Sequence, residues 1–377
     1  MNNTTIKQEA ILLLQRLIAI PSFSKQEDKT AAILFDYLKE KGGAPNRVGN
    51  NVYAIAGGFN PVLPTLLLNS HHDTVKPNAQ YTRDPFSPHI EEGKLYGLGS
   101  NDAGASLVAL LASFLQSSAS SSSHWNLIFA ATAEEEISGS GGIEALLQDP
   151  TFIENTQGCL VKENIHPTTC AIVGEPTLLQ MAIAERGLLV LDGIATGKPG
   201  HAAREEGDNA LYHALDAIQL IRDFVWEKKS TLLGAVKCST TVIETVNKAH
   251  NIVPASCQFV VDIRVNERYT FEEVINTLQS IVSPAVQLKP RSTRLRSSLI
   301  PVEHPLIKVG LANQLSYYGS PTTSDKALLP FPALKLGPGN SARSHRADEW
   351  VGIDEIESGI DLYCTLINQL THSTMLA

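Results

Sequence analysis

Five cysteines in 377 residues are too few and too scattered to staple a fold. Cys159, Cys170, Cys238, Cys257 and Cys364 are odd in number and include no CxxC pair. That pattern argues against a disulfide framework or a cysteine-ligated zinc, and for a reducing compartment. Their expected place is the core, as small apolar side chains. Basic charge is also short. Thirty Lys and Arg against 39 Asp and Glu leave a formal net charge of −9, which disfavours any grip on nucleic acid or on an anionic membrane surface. Long apolar runs are missing, and no stretch approaches the ~20 residues a membrane span needs. Near the N-terminus, Gln15 and Arg16 interrupt the apolar residues Ile11 to Ile18. The remainder fits one face of a helix rather than a secretion signal. No GxSxG elbow, GKS/GKT loop or GxGxxG turn occurs, which removes the usual serine-hydrolase and phosphate-binding signatures. The expectation is a cytoplasmic globular protein.

What is present is length and alternation. The chain exceeds one ordinary hydrophobic core. Helical runs are expected up to Pro21 and from about Lys25 to Lys41. Pro64–Asn69 and Asn126–Ala131 are short continuous apolar runs, as for strands buried on both faces. Ala103–Leu115 lies between them as a helix. The polar run Ser117–Ser123 reads as a surface loop. From about Gln180 the order becomes strand (Leu188–Ile194), helix (Asn209–Glu227), two strands (Thr240–Val246, Gln258–Val265) and helix (Thr270–Val282). After about Pro290, helix-and-strand alternation returns. The reading is an α/β domain of residues 1–178 and 291–377 interrupted by a smaller α+β domain of residues 179–290, with no internal repeat.

Five segments carry candidate chemistry. Ser70-His71-His72-Asp73-Thr74 follows an apolar strand, where polar groups of an α/β sheet meet ligands. His71 and Asp73 share a face if the strand continues, and a carboxylate beside an imidazole can fix its tautomer for metal binding. Taken alone, such a pair is as readily a surface accident. Gly97-Leu-Gly-Ser-Asn-Asp102 delivers an aspartate to a helix start, which by itself reads best as an N-cap. Glu134-Glu135-Glu136 follows a buried strand and precedes a glycine-rich turn. Such runs are ordinarily solvated, yet cations at that place would turn repulsion into binding, with one carboxylate left free as a base. Ile172-Val-Gly-Glu175-Pro-Thr177 again ends an apolar run in a carboxylate. Gly337-Pro-Gly-Asn340 leads to His345, Asp348 and Glu349. Two histidines and several carboxylates without cysteine suit two hard or borderline cations sharing one carboxylate.

In this order, the segments resemble over nearly the whole chain the two-zinc deacylases and exopeptidases, a family that includes acetylornithine deacetylase, succinyl-diaminopimelate desuccinylase, aminoacylase and glutamate carboxypeptidase. The resemblance implies a zinc-exopeptidase-like catalytic domain with a mixed sheet flanked by helices, and an inserted ferredoxin-like domain for dimerisation. It implies that His71, Asp102 and Glu175 hold one metal and that Asp102, Glu136 and His345 hold a second. Asp73 would orient His71 and Glu135 would act as general base. It also implies a cis peptide between Asp102 and Ala103. His201, in Gly197-Lys-Pro-Gly-His201, would stabilise an oxyanion, reaching in from a partner subunit. Asn251, Arg264 and Gly339 would contact substrate. The metals would be zinc, with cobalt or manganese as alternatives.

Two departures concern subfamily rather than chemistry: Asp102-Ala-Gly-Ala replaces the commoner Asp-Met-Lys-Gly, and Glu134 stands where Asp is usual. The Gly-Glu-Pro-Thr segment is most similar to the acetylornithine deacetylase and desuccinylase branch. The expected substrate is therefore an N-acylated amino acid, first of all N-acetyl-ornithine. Succinyl-ornithine, acetyl-citrulline or succinyl-diaminopimelate are alternatives. A di- or tripeptidase and a metal-free binding protein on the same fold are the remaining readings. Lys289, Arg291, Arg294 and Arg296 form a basic cluster that reads either as solvated surface or as a partner for a succinyl carboxylate.

Overall fold

A computed structural model of the protein describes residues 3–118 and 124–372. The expected serine loop lies outside these residues beyond Ser118. The chain divides into two compact units, one of Met1–Ile183, Leu299–Tyr318 and Ser324–Ala377, the other of Ala184–Ser298 and Gly319–Thr323. Composition placed the breaks after residues 178 and 290. Backbone pairing carries each unit past those points: Ile300 N donates to Ile183 O at 2.9 Å in the first, and Leu188 N donates to Leu295 O at 2.9 Å in the second.

The first unit begins with α1 (Asn3–Ile18), whose Ile6, Ala10, Leu13, Leu14 and Leu17 are buried along one stripe. Then come α2 (Asp28–Glu40), β1 (Pro45–Val48) and β2 (Asn51–Ile55). Gly49 at φ 59° makes the tight turn of the β1–β2 hairpin. β3 (Thr65–His71), β4 (His89–Glu91), β5 (Lys94–Tyr96), α3 (Ala105–Ser117) and β6 (Asn126–Thr132) follow. Every residue of β3 and β6 is buried, as expected for central strands covered on both faces. α4 (Ile143–Gln148) and α5 (Pro150–Asn155) are short; Asp149 caps α5 by accepting the amides of Thr151 and Phe152, with Pro150 in the first turn. β7 (Cys170–Val173) and β8 (Met181–Glu185) lead to the second unit.

That unit contains β9 (Gly187–Thr196), β10 (Gly200–His201), α6 (Ala210–Asp223), β11 (Lys237–Glu244), β12 (Ile252–Val253), β13 (Ser256–Val265), α7 (Phe271–Ile281) and β14 (Val286–Pro290). Asn209 caps α6, and Thr270 with Glu273 forms a capping box on α7. The sheet order is β11-β13-β9-β14, all antiparallel. With α6 and α7 packed on it, this is the ferredoxin-like βαββαβ arrangement. Its core holds Leu189, Leu191, Phe259, Val261, Ala214, Ile221, Val274 and Leu278. Residues alternate in burial along β9 and β13, so one face is the covered one.

β15 (Ser298–Leu299), α8 (Pro305–Ala312), β16 (Tyr317–Ser320), β17 (Ala333–Lys335), β18 (Trp350–Gly352) and α9 (Ile353–His372) complete the chain. The large sheet runs β1-β2-β6-β3-β7-β17-β8. It is mixed: β6, β3, β7 and β17 are parallel, whereas β2 joins β6, and β8 joins β17, antiparallel. α1, α3 and α9 pack together, with α3 against β3 and β6. Tyr53, Leu67, Ile128 and Val173 meet Ile143 and Leu146 of α4 and Phe152 of α5 in a second cluster. α3 is buried from Ala105 to Phe114 because it is enclosed by sheet and helices alike. All five cysteines are free, with Cys170, Cys257 and Cys364 buried and Cys159 and Cys238 half-buried. Among the described residues, no helix is long and apolar enough to cross a membrane.

Candidate metal centre

The carboxyl ends of the parallel strands collect the ionisable residues. His71 is the last residue of β3. Glu134, Glu135 and Glu136 follow β6, Glu175 follows β7, and the loop after β17 leads to His345. Asp102 arrives from the side, on an irregular turn before α3. The turn is not helical at Asp102 (φ −115°, ψ 99°), and no side chain caps α3. The N-cap reading of Asp102 is therefore replaced: its carboxylate faces the histidines.

Asp102 lies between two imidazoles and offers a different oxygen to each. Its Oδ1 is 3.4 Å from His71 Nε2 and its Oδ2 is 3.8 Å from His345 Nε2. Glu135 and Glu175 each bring an oxygen to 3.9 Å from His71 Nε2. Glu136 Oε2 is 2.9 Å from His345 Nε2. The ligand atoms of His71, Glu135 and Glu175, and those of His71, Asp102 and Glu136, lie within 4.8 Å of one another. His71 is buried and His345 is about half exposed. The Asp102–Ala103 peptide is cis, as the resemblance implied.

Asp73 reaches His71 chiefly through its backbone. His71 Nδ1 is 2.9 Å from Asp73 O and 3.4 Å from the carboxylate Oδ1. The Asp73 carboxylate instead accepts the amides of Glu135 at 3.0 Å and Glu136 at 3.2 Å, and the Ser24 hydroxyl at 2.7 Å. His72, on the other face of the strand, meets the Thr30 hydroxyl and Asn50 O at 2.9 Å each. Burial keeps it neutral by lowering its pKa.

The three adjacent glutamates go three ways. Glu134 sits in the left-handed region at φ 55°. Its carboxylate accepts the Gly141 amide at 3.3 Å, and a Cβ at Gly139 or Gly141 would strike it. That is why the following turn is glycine-rich. Glu135 points to His71 and Glu136 to His345.

The electrostatics ask for cations. Two like charges 4 Å apart repel by roughly 1 kcal/mol in water and roughly 4 kcal/mol in partly buried surroundings. Burial, with the charges of Glu175, Asp325 and Glu136, pushes the Glu135 carboxyl well above its ordinary range against the pull of His71. Burial and Asp102 push Glu175 up to about 8. Burial would lower His71, but its hydrogen bonds to Asp102 and Asp73 and the nearby glutamates hold it well above its usual value. The hydrogen bond to Glu136 raises His345 to about 9. Bound protons here compensate negative charge as a metal would. An oxygen and nitrogen donor set with an imidazole at each end fits a pair of divalent ions.

Gly339, at φ 88°, has space only for hydrogen, since a Cβ would lie 2.5 Å from Asn101 Oδ1. His201, Asn251 and Arg264 belong to the second unit. His201 pairs with Ile252 in the β10–β12 ribbon, and Asn251 O accepts the Ala202 amide at 2.9 Å. Arg264 forks onto Asp262 at 2.8 and 3.1 Å. In the basic cluster, Arg291 pairs with Asp192 and Arg296 with Glu272 on the surface.

Two residues gained no role from the sequence. Asp325 is buried and accepts Asn69 Nδ2 at 3.0 Å and the Thr132 hydroxyl at 2.7 Å. Nothing local marks it. Glu349 receives three amides from the Asp102 turn. Its nearness to His345 in sequence was the available signal.

A mixed sheet flanked by helices, with a two-histidine, multi-carboxylate cluster at the ends of its parallel strands, defines a metal-dependent hydrolase. Residues 67–369 match the model of peptidase family M20/M25/M40, and the chain belongs to this family of metal-dependent amidohydrolases. It is 26% identical to the succinyl-diaminopimelate desuccinylase of Wolbachia pipientis subsp. Culex pipiens, over 98% of this chain and 95% of that protein. It is 28% identical to the acetylornithine deacetylase of Proteus mirabilis, over 95% of each. The YXEP protein of Bacillus subtilis, a dinuclear metal-binding peptidase of the M20 family, shares the fold with TM-score 0.72 and 12% identity, over 97% of this chain and 98% of that one.

Proposed function

We propose that the protein removes the acyl group from an N-acylated amino acid, with N-acetyl-ornithine as the first candidate substrate. The observation that carries the reading is the placement of the Asp102 carboxylate between His71 and His345, one oxygen toward each. His71, Asp102 and Glu175 would hold one divalent ion, and Asp102, Glu136 and His345 another, with zinc the favoured metal. Bound there, the ions would supply positive charge that acidifies a water molecule and polarises the amide carbonyl. Glu135, buried beside His71, takes the proton of the attacking water and returns it to the departing nitrogen. Asp73 holds the Glu135 amide and so fixes where the base stands. The products are a carboxylate and a free amino acid.

The substrate choice is supported by relatives named desuccinylase and acetylornithine deacetylase that span nearly the whole chain. Within the basic cluster, Arg291 and Arg296 already have carboxylate partners, which favours acetyl over succinyl. Turnover of acetyl-ornithine, succinyl-ornithine, acetyl-citrulline and an unblocked dipeptide by zinc-loaded protein tests the proposal. Cleavage of the dipeptide with no action on acylated amino acids would select a peptidase instead. We further propose a cytoplasmic homodimer joined through the second unit. Edge strand β11 exposes Val242 and Ile243, and α6 exposes Tyr212, Leu215 and Leu220. His201, Asn251 and Arg264 are assigned to oxyanion and substrate contacts on the family resemblance. Sedimentation showing only monomer would overturn the dimer.

A further inference from the structure

We propose that Glu349 is the positioning residue that presets Asp102 for metal binding and ties the His345 loop to it. The inference rests on reading Asp102 as the shared metal ligand. Glu349 is almost wholly buried. Its Oε1 accepts the amides of Asn101 and Asp102, and its Oε2 accepts that of Gly99, all at 2.9 Å. These amides need outside acceptors. The turn is irregular at Asp102, so a helical hydrogen-bond ladder does not serve them, and unpaired buried amides are costly.

The Glu349 backbone is itself held. Its carbonyl accepts the Gly97 amide at 3.0 Å, and the next residues pair as β18 with β5. At the other end of the same loop, the Asn101 side chain accepts the Asn340 amide at 2.9 Å and donates to Asn340 O at 3.1 Å. The segment carrying His345 is thus fastened at Asn340 and at Glu349 to the one turn that carries Asp102. Movement of either ligand strains the other's support.

The chemistry requires a carboxylate. Three donors converge on two oxygens, and glutamine would offer one acceptor while turning an NH2 group toward the third donor.

The test compares native protein with Glu349→Gln, by titrating metal-free protein with cobalt and by steady-state kinetics on acetyl-ornithine. The expected result is a weaker affinity for cobalt, on the order of 10–100-fold, with a comparable fall in kcat and KM nearly unchanged. Native cobalt affinity in Glu349→Gln overturns the inference, even if the variant melts earlier, because that pattern describes a scaffold residue. Native protein that takes up no cobalt at all would instead sink the metal-centre reading. Should Glu349→Gln fail to fold, hydrogen exchange of native metal-free protein decides. Protection of the Gly99, Asn101 and Asp102 amides supports the clamp, and exchange at unprotected-loop rates overturns it.

Discussion

The carboxylate of Asp73 accepts the backbone N–H of Glu135 at 3.0 Å. Asp73 therefore acts on Glu135, the proposed base, as directly as on the histidine, whose Nδ1 lies closer to the Asp73 carbonyl than to the carboxylate. In Asp73→Ala the carbonyl remains for His71 while both glutamate amides lose their acceptor. We predict that metal stoichiometry stays native and kcat falls on the order of 10–100-fold. Metal analysis alongside kinetics checks this; loss of metal with the rate would mean that Asp73 mainly serves His71.

Glu135→Gln keeps the shape of the side chain and removes the proton acceptor. The variant should bind both metals and lose roughly 10²- to 10⁴-fold in kcat, the usual scale of general acid–base catalysis. Near-native turnover would show that another group takes the proton.

Removal of metal should destabilise the first unit. The raised carboxyls of Glu135 and Glu175 and the raised imidazoles of His71 and His345 mark a cluster short of positive charge. Binding to the folded state alone adds about 2.7 kcal/mol when free metal exceeds Kd a hundredfold. Melting after dialysis against a chelator, then after zinc is restored, should show a lower Tm followed by recovery. A Tm indifferent to both steps would count against the centre.

His304 gives a pH signature away from the centre. Its Nδ1 accepts the Leu306 amide at 3.2 Å as the cap of α8, and burial lowers its pKa from 6.5 to about 4. Above pH 6.5 it is neutral folded or unfolded and adds no pH dependence. As pH falls from 6.5 toward 4, only the unfolded chain gains the proton, so stability is lost over that interval. His304→Asn keeps an acceptor at the cap and should flatten this part of the curve. Urea midpoints measured from pH 7 to 4 on both proteins test it, and parallel curves would remove His304 as a cause.

Much of the centre was legible because its residues follow apolar strands. A strand's carboxyl end is a local feature: His71 ends one strand, and Glu135, Glu136 and Glu175 stand just beyond others. Asp102 misled as a local motif, since an aspartate before a helix reads as a cap. Asp325 was invisible for the opposite reason: its partners Asn69 and Thr132 are distant in the chain, and no periodicity encodes such a meeting.

By itself the sequence determined the alternation of strands and helices, the α+β insertion and the kinds of donor atom available, because burial periodicity and residue chemistry are properties of short segments. Only the tertiary structure decided which way each carboxylate turns. Glu134, Glu135 and Glu136 are chemically identical neighbours, and their separate directions follow from a left-handed backbone at Glu134, a glycine turn that fits around its carboxylate, and Asp73 holding the next two amides. Contacts between residues far apart in the chain fix those directions, and a linear pattern does not contain them.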